Sequence, residues 1–343
     1  MSVRDCTSAQ VIRVFVLPCM SLGHRKLAAW YHQLGQQLEA GLPVASALRS
    51  SRGTGLPDSA LEEFAREIEA GRSLEAAFAA AERWLPLADR LVLSAAAGAG
   101  RMPNALKNLA GRHAQLGAIQ LRLVFACLYP LGMLHAGLLI LPVVRMIDWE
   151  KGFTWDAVAY TRMVAMTIGS LWAAIVFLGI SIRRQHPAPM RLARMLPFIG
   201  GYLRLQGLAD FAFALGNFLD AGMLINRAWS TAGSISTRPE LKKAAEAMRA
   251  VIDRGGKPGT QLAVWTCFPP DFVALYHTGE TTGQLEQNLL RLATQYQDRA
   301  SRSLTLATLF YPALMFVAVA VMVVFHIFKI YAGYLRTLNT LGS

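Results

Sequence analysis

The sequence predicts an all-α membrane protein, with two duplicated cytoplasmic helical bundles of about six helices each and three transmembrane helices. Three observations predict this class. A helical segment recurs 181 positions further along the chain, three long windows contain no Asp, Glu, Lys or Arg, and no stretch shows sustained period-2 alternation of apolar residues. Helical periodicity without strand periodicity makes the α-helix the expected element throughout, with a β content close to nil.

The repeat is the feature on which the domain organisation depends. Residues 27–41 correspond to residues 208–222, and each copy ends in an acidic residue followed by Ala-Gly. Further correspondences follow with small shifts: Trp84-Leu-Pro86 with Cys267-Phe-Pro269, Gly100 with Gly283, 106–110 with 289–293, and Tyr129-Pro130 with Tyr311-Pro312. Self-similarity at a long, fixed offset indicates a structural unit that occurs twice.

The uncharged windows predict the membrane spans. Residues 123–144, 163–182 and 303–328 are 22, 20 and 26 residues long, and about 20 residues in a helix cross the roughly 30 Å of hydrocarbon in a bilayer. Only 16% of the residues are charged, against about 25% in a typical soluble protein. The apolar stretch 11–22 is too short for a span and is expected to be an interfacial or packed segment.

Basic residues near the span ends set the predicted orientation. They follow the second span and precede the first, whereas the loop between these spans holds three basic and three acidic residues. Because basic flanks favour the cytoplasmic side, both bundles and the N-terminus are expected there. The predicted order is an N-terminal segment (1–23), the first bundle (24–121), a span (123–144), an external loop (145–162), a span (163–182), the second bundle (183–302), a span (303–328) and an external tail (329–343).

Caps and glycines predict the helices of the first bundle in order. Leu27, Trp30, Tyr31, Leu34 and Leu38 recur at helical spacing, and a helix with this pattern is expected to end at a glycine. The later boundaries are expected at Gly41 (a stop), Pro43 (a start), Asp58 (a cap), Gly71 (a stop), Ser73 (a cap), Pro86 (a start) and Pro103, where a long helix begins and continues into the first span.

The second bundle is expected to follow the same plan. Leu215, Phe218 and Leu219 lie on a first helix that stops at Gly222, and a later helix covers residues 240–252. A turn at Gly255-Gly256 and the pair Pro269-Pro270 precede the fifth helix. Lys257 follows two glycines, but the glycine spacing of a phosphate-binding loop is missing, because Val251 stands where its first glycine belongs.

Other kinds of chemistry are not indicated by the sequence. The four cysteines are scattered, and the seven histidines form no metal-binding pair at helical spacing. The net charge of +12 is explained by basic flanks facing anionic lipid, with no clustered basic face for nucleic acid. No catalytic, cofactor-binding or metal-binding residue is therefore predicted. His135 and His326 fall inside predicted spans, and a neutral imidazole packed against a neighbouring helix is the favoured interpretation.

Three acidic residues are candidates for an interface. Glu39 and Asp220 occupy the same place in the two repeats, late in a helix, where a carboxylate opposes the helix dipole. Such a position can serve an interface or an internal hydrogen bond, or be merely solvated. Glu280 lies in the motif Gly279-Glu-Thr-Thr-Gly283 and is expected in a turn between two helices. Its counterpart in the first repeat is Ala97.

Together these motifs resemble the inner-membrane platform protein of type II secretion and type IV pilus machines, the GspF/PilC family, over about residues 27–335. The resemblance rests on Leu-x-x-x-Leu-x-Ala-Gly, the aromatic-Pro before the fifth helix, Gly-Glu-x-x-Gly-x-Leu and the Tyr-Pro in the following span. It implies a non-enzymatic scaffold without cofactor in the bacterial cytoplasmic (inner) membrane. The implied partners are a hexameric secretion ATPase, pilin-like subunits, other inner-membrane assembly proteins and further copies of the chain.

Two departures from the family pattern and one alternative function remain. The segment before the first bundle is short, and Ala97 replaces the acid of the first Gly-Glu-x-x-Gly, so that only Glu280 could make a contact that needs this acid. The alternative is a polytopic membrane transporter component, since duplicated halves also suit alternating access. Three spans are few for that design, and together they cover only 68 of the 343 residues.

Overall fold

The computed structural model describes residues 23–53, 56–81, 84–148, 152–153, 155–183 and 195–341. Six helices form the first half: α1 (His24–Glu39), α2 (Val44–Ser50), α3 (Asp58–Glu69), α4 (Leu74–Ala80), α5 (Leu87–Gly98) and α6 (Met102–Arg145). A two-residue antiparallel pair, β1 (Ile147–Asp148) and β2 (Gly152–Phe153), follows α6 and leads to α7 (Ala157–Arg183). The predicted segment 1–23 lies outside the described residues except for Gly23.

The second half repeats the helical pattern. Its elements are α8 (Ile199–Asp220), α9 (Ile225–Ile235), α10 (Pro239–Asp253), α11 (Pro258–Gln261), a 3₁₀ turn (Leu262–Val264), α12 (Pro270–Thr282) and α13 (Leu285–Leu341). The all-α prediction is confirmed, because the described residues hold no strand beyond the two-residue pair. The turn predicted at Gly255 is also confirmed, with φ at +77° between α10 and α11.

Glycines stop the helices where the sequence predicts. Gly41 after α1 and Gly222 after α8 have φ of +83° and +76°, a left-handed conformation that costs glycine little and other residues much. The next residue in each case closes the helix end, since Leu42 N–H donates to Gln37 O and Met223 N–H to Phe218 O. This is the Schellman arrangement, which satisfies carbonyls that the helix leaves without partners.

The predicted cap at Ser73 is confirmed, and the four other starts predicted for the first half are wrong by one residue. Pro86 precedes the first residue of α5, and α6 begins at Met102, one residue before Pro103. The Ser73 hydroxyl accepts the Ala76 N–H at 3.3 Å and caps α4. Pro43 precedes the first residue of α2 instead of being it, and Asp58 is the first residue of α3 instead of its cap. Asp58 Oδ1 instead accepts the Gly53 N–H at 3.3 Å. Pro57, whose ring fixes φ, supplies the backbone that leads into the helix.

In each half the first helix packs on the long last helix. A Cβ added to Gly35 of α1 would lie 3.4 Å from Leu106 Cβ of α6, and one added to Gly216 of α8 would lie 3.2 Å from Leu289 Cβ of α13. The same pair of repeated segments is therefore in close contact in both halves. Leu34 and Leu215, one residue before each glycine, are completely buried, so the predicted core face is confirmed.

The cores of the two halves join into one hydrophobic cluster. Trp30 contacts Trp84 in the first half, and Trp229 contacts Phe268 and Tyr276 in the second. Buried residues of both halves belong to the same set of contacts, through α5 and α8. Burial of large aromatic side chains supplies much of the stability of such cores.

The two long helices change character along their length. The first parts of α6 and α13 carry the fully buried Leu106, Leu109, Leu289 and Leu292. Further along, their apolar side chains are exposed, for example Phe125 on α6 and Phe328 on α13. Among the helices formed by the described residues, none is both long enough and apolar enough to cross a membrane. The three spans stay a prediction.

Candidate functional site

The three acidic candidates have different surroundings. Glu39 is the last residue of α1 and is exposed. Asp220, its counterpart at the end of α8, has a carboxylate oxygen 3.5 Å from Arg101 Nη1, and the same guanidinium donates to the Asp220 backbone carbonyl. Asp220 is therefore engaged inside the molecule, by a residue of the other half, whereas Glu39 is available to a partner.

Glu280 lies within α12, so the expectation that it sits in a turn between two helices is wrong. The helix continues through Thr282 and ends at Gly283, whose φ is +70°. Gly279 is needed for a different reason, since a Cβ there would lie 2.9 Å from the Leu285 Cα at the start of α13. The two glycines thus serve a close approach of backbones and a helix stop, and Glu280 projects from the last turns of α12.

The Glu280 carboxylate holds α11 against α12. Its Oε2 accepts the Gly259 N–H at 3.2 Å, and it occupies space that a Cβ on Gly259 would need. Burial raises the pKa of Glu280 above its usual value, while the Gly259 hydrogen bond and the charges of His277 and Lys257 oppose this rise. Glu280 is half-buried and already has an internal partner, and its role at an interface stays a prediction.

A buried polar network in the first half was not predicted. Asp89 Oδ2 accepts a hydrogen bond of 2.8 Å from the Tyr31 hydroxyl and lies 2.8 Å from His113 Nε2. His113 Nδ1 in turn lies 2.8 Å from His24 Nδ1. The histidines form no metal-binding pair at helical spacing in the sequence, yet His113 continues the core face of α6 set by Leu106 and Leu109. An ionisable residue on an apolar helix face is a signal that could have revealed the network.

The network keeps Asp89 ionised. Burial alone would raise the pKa of Asp89, but the charge of His113 and the hydrogen bonds from His113 and Tyr31 outweigh it and lower this pKa below its ordinary value. Burial and the neighbouring Asp89 raise the pKa of Tyr31 far above its ordinary value. Tyr31 therefore remains a hydroxyl that donates to a carboxylate, a charge-assisted hydrogen bond stronger than a neutral one.

The second half uses a carboxylate in a similar place. The Tyr296 hydroxyl of α13 donates to Asp271 Oδ1 at 2.8 Å, and Arg299 Nη1 lies 2.6 Å from Asp271 Oδ2. Burial would raise the pKa of Asp271, but the hydrogen bonds from Tyr296 and Arg299 lower it overall. In both halves a carboxylate at the start of the fifth helix is thus tied to the long sixth helix.

His135 packs against a neighbouring helix, as favoured from the sequence. Its Nε2 lies 3.1 Å from the Trp172 indole Nε1 of α7, and its Nδ1 lies 2.7 Å from Leu131 O. An indole N–H only donates, so His135 Nε2 accepts and the proton of a neutral ring is on Nδ1. The His326 side chain lies outside the described residues. The described residues contain no group of three or more His, Cys, Asp or Glu placed to hold a metal.

The Asp89 network gives a prediction for stability against pH. A carboxylate with a depressed pKa in the folded state contributes stability at neutral pH that is lost as pH falls through that pKa. We expect Asp89→Asn to lower the free energy of unfolding by about 1–3 kcal/mol at pH 7, because partners are left unsatisfied. The difference between variant and wild type should shrink below about pH 4, as measured by denaturant unfolding in detergent. A difference that is constant from pH 7 to pH 3 would contradict the assignment.

Comparisons with known proteins agree with this architecture. The family model described as type II secretion system (T2SS), protein F, matches residues 30–147 and again residues 211–332. The two matches begin 181 positions apart, which is the offset of the sequence repeat. Each match covers one half of the described fold together with much of its long helix.

Curated relatives cover most of the chain. A type 4 fimbrial assembly protein PilC of Pseudomonas putida is 27% identical over 84% of this chain and 78% of its own length. The type II secretion system protein F of Pseudomonas aeruginosa is 25% identical over 88% and 81%, and the type IV pilus assembly protein PilC of the same species is 21% identical over 84% of each. With the double match of the family model, these similarities show that the chain belongs to the type II secretion system protein F family.

Proposed function

We propose that this chain is the cytoplasmic-membrane scaffold, or platform, of a type II secretion or type IV pilus-like machine, and that it couples a cytoplasmic ATPase to the assembly of pilin-like subunits. The observation that carries the proposal is the family match at residues 30–147 and 211–332. Relatives named for secretion and for pilus assembly are similar over more than four fifths of the chain. Other inner-membrane assembly proteins and further copies of the chain are the remaining proposed partners.

The fold suits a scaffold that transmits force. Each half has its own first helix packed on a long helix, α1 on α6 and α8 on α13, and the long helix continues without a break beyond the bundle. A helix that continues in this way links the bundle to its far end, and Pro130 in α6 and Pro312 in α13 each remove one of its backbone hydrogen bonds. A motor that moves either bundle would thus move the helix attached to it.

Membrane placement is proposed from two properties of α6, α7 and α13. Their sequences contain the uncharged windows 123–144, 163–182 and 303–328. Their described side chains include large apolar groups that are exposed, such as Phe125, Phe177 and Phe328. Extended apolar surfaces of this kind mark contact with lipid or another protein. We propose these windows as the spans, with the domain limits expected from the sequence.

Loss of the chain tests the proposed function directly. We expect a strain that lacks the gene to lose secretion of one exoprotein set, or surface pili, and to recover it when the wild-type gene is supplied. The purified chain should retain the machine's ATPase on an affinity column and should neither bind nor hydrolyse ATP itself. Normal secretion and normal piliation in the mutant would contradict the proposal, as would ATP hydrolysis by the isolated chain.

The proposed topology predicts opposite accessibility of two positions. In a chain freed of its native cysteines, Ala157→Cys at the start of α7 should react with an impermeant maleimide in intact cells. Ser234→Cys in α9 should react only after the cells are permeabilised. Both positions are exposed in the fold, so burial does not explain a difference. Equal labelling of the two in intact cells would show that the orientation is wrong.

Glu280→Gln separates an interface role from a structural role. The raised pKa of Glu280 means that its stabilising contribution is full below its unfolded pKa of about 4.5 and is lost as pH rises through the folded pKa. The ionised group is therefore unfavourable at pH 7, and Gln removes the charge while its Oε1 still accepts the Gly259 N–H. We expect a melting temperature at pH 7 that is unchanged or raised, together with reduced ATPase retention and reduced secretion or piliation.

Glu246→Gln is the matched control, because Glu246 is an exposed glutamate on α10 of the same half. It should leave melting, ATPase retention and export at wild-type levels. Full export by the Glu280→Gln variant would assign Glu280 to structure alone. Export that is lost only in proportion to lost protein would lead to the same assignment.

A further inference from the structure

We propose that the two helical halves move as one body, and that Arg112 is the residue that positions the second half on the first. Arg112 and His113 are neighbours on α6 and contact opposite halves of the molecule. Successive residues of an α-helix point about 100° apart. Two polar contacts on different sides of α6 therefore fix its rotation about its own axis relative to both halves. This coupling depends only on the internal contacts and does not require the proposed function.

His113 fixes α6 to the first half. It is 1% exposed and contacts the buried Asp89 carboxylate of α5, which also accepts from Tyr31 of α1. A rotation of α6 within the first half would break this contact and leave a buried carboxylate without one of its partners. Removing a partner from a buried ion pair is much more costly than losing a surface pair.

Arg112 fixes α6 to the second half. Its Nη2 donates to the Asp210 carboxylate of α8, and its guanidinium carbon lies 4.3 Å from the centre of the Phe213 ring, one turn along the same helix. The side chains of Arg112 and Asp210 are only 16% and 24% exposed. A planar guanidinium that is both ion-paired and stacked on an aromatic face has a defined orientation, which a lysine would not reproduce.

Asp210 connects Arg112 to α13 through further hydrogen bonds. The same Asp210 oxygen accepts from Gln206 Nε2 at 2.7 Å. The Gln206 amide is paired with that of Gln297 on α13 by two reciprocal hydrogen bonds of 2.9 Å. Both glutamines are 4% exposed. Arg112 of one long helix is thus connected to Gln297 of the other by partly and fully buried polar groups only.

Two further pairs extend the contact along the helices. Arg101 meets Asp220, and Asn108 Nδ2 donates to Asn217 Oδ1 at 2.9 Å. Taken with Arg112 and Asp210, positions rise from Arg101, the residue before α6, along α6 while they fall along α8, so the two helices run antiparallel with one register. We call these three pairs the polar seam.

The polar seam supplies what the shared hydrophobic cluster does not. Apolar contacts between α5 and α8, and contacts between α6 and α13, join the halves, but hydrophobic attraction is non-directional and does not by itself pair particular polar groups. Clefts lie on both sides of Arg112, one lined by Ala88 and Val92 and the other by Lys107 and Thr294. The polar pairs therefore add a directional component to the contact between the halves.

Distances between spin labels on the two halves test the coupling. In the full-length, detergent-purified chain freed of native cysteines, labels at Glu63→Cys of α3 and Glu246→Cys of α10 should give one narrow distance distribution. We expect Arg112→Glu to broaden this distribution at least twofold or to shift its maximum. The charge exchange Arg112→Asp with Asp210→Arg should restore most of the narrow peak, because it re-forms an ion pair at the same place.

Lys107→Glu is the matched control, since Lys107 is an exposed basic residue of the same helix and undergoes the same change in charge. It should leave the distribution unchanged. If Arg112→Glu fails to fold, Arg112→Gln, which removes the charge but keeps a planar amide, should give intermediate broadening. A wild-type distribution in the folded Arg112 variant, or equal broadening by Lys107→Glu, would overturn the coupling. Because the distances are measured without any secretion assay, their outcome is independent of the proposed function.

Discussion

The rest of the structure depends on the continuity of two long helices. The first part of α6 and the first part of α13 each pack inside a helical bundle. The full helices are 44 and 57 residues long. Leu106 and Leu289 near their starts are completely buried, whereas apolar groups further along are exposed. Each helix connects these two regions without a break in its helical backbone, so the packing of each bundle contributes to the direction in which its apolar segment leaves, together with Pro130 in α6 and Pro312 in α13, which each remove one helical hydrogen bond.

The close approach of α1 to α6, and of α8 to α13, allows the long helices to pack inside their bundles. Gly35 and Gly216 lie where α1 crosses α6 and where α8 crosses α13, and little space exists for a Cβ at either point. Left-handed glycines then turn the chain after the first helix of each half, at Gly41 and Gly222. Burial of apolar surface around these crossings is the main favourable contribution to folding, and the glycines provide the geometry that allows it.

Charged and polar side chains have diverged between the halves although the helices correspond. His113 on α6 contacts a carboxylate of α5, whereas Tyr296 on α13 contacts a carboxylate of α12. Asp220 is engaged by Arg101, whereas its counterpart Glu39 is exposed. A repeated backbone therefore carries two different sets of polar contacts. Such divergence gives each half its own outward surface while the shared apolar positions preserve the core.

The sequence by itself determined the elements of this protein. Apolar spacing placed Leu34 and Leu215 on core faces, glycines marked the helix ends, and the repeat led to the family that the comparisons confirmed. These features are local, because each depends on residues within a few turns of the same helix. The start of a long helix near Pro103 and its continuation beyond the bundle were predictable for the same reason.

Only the tertiary structure decided which polar groups meet. His24 and His113 are 89 positions apart, and Arg112 and Asp210 are 98 apart. The sequence also placed Glu280 in a turn, but Gly279 serves a close approach to α13 and does not end the helix. A glycine or an ionisable residue has no single local meaning, since its role depends on what the packing of distant helices brings beside it. The spacing of apolar residues along each helix is a property of the sequence, whereas the partner of each polar group is decided only when the helices pack.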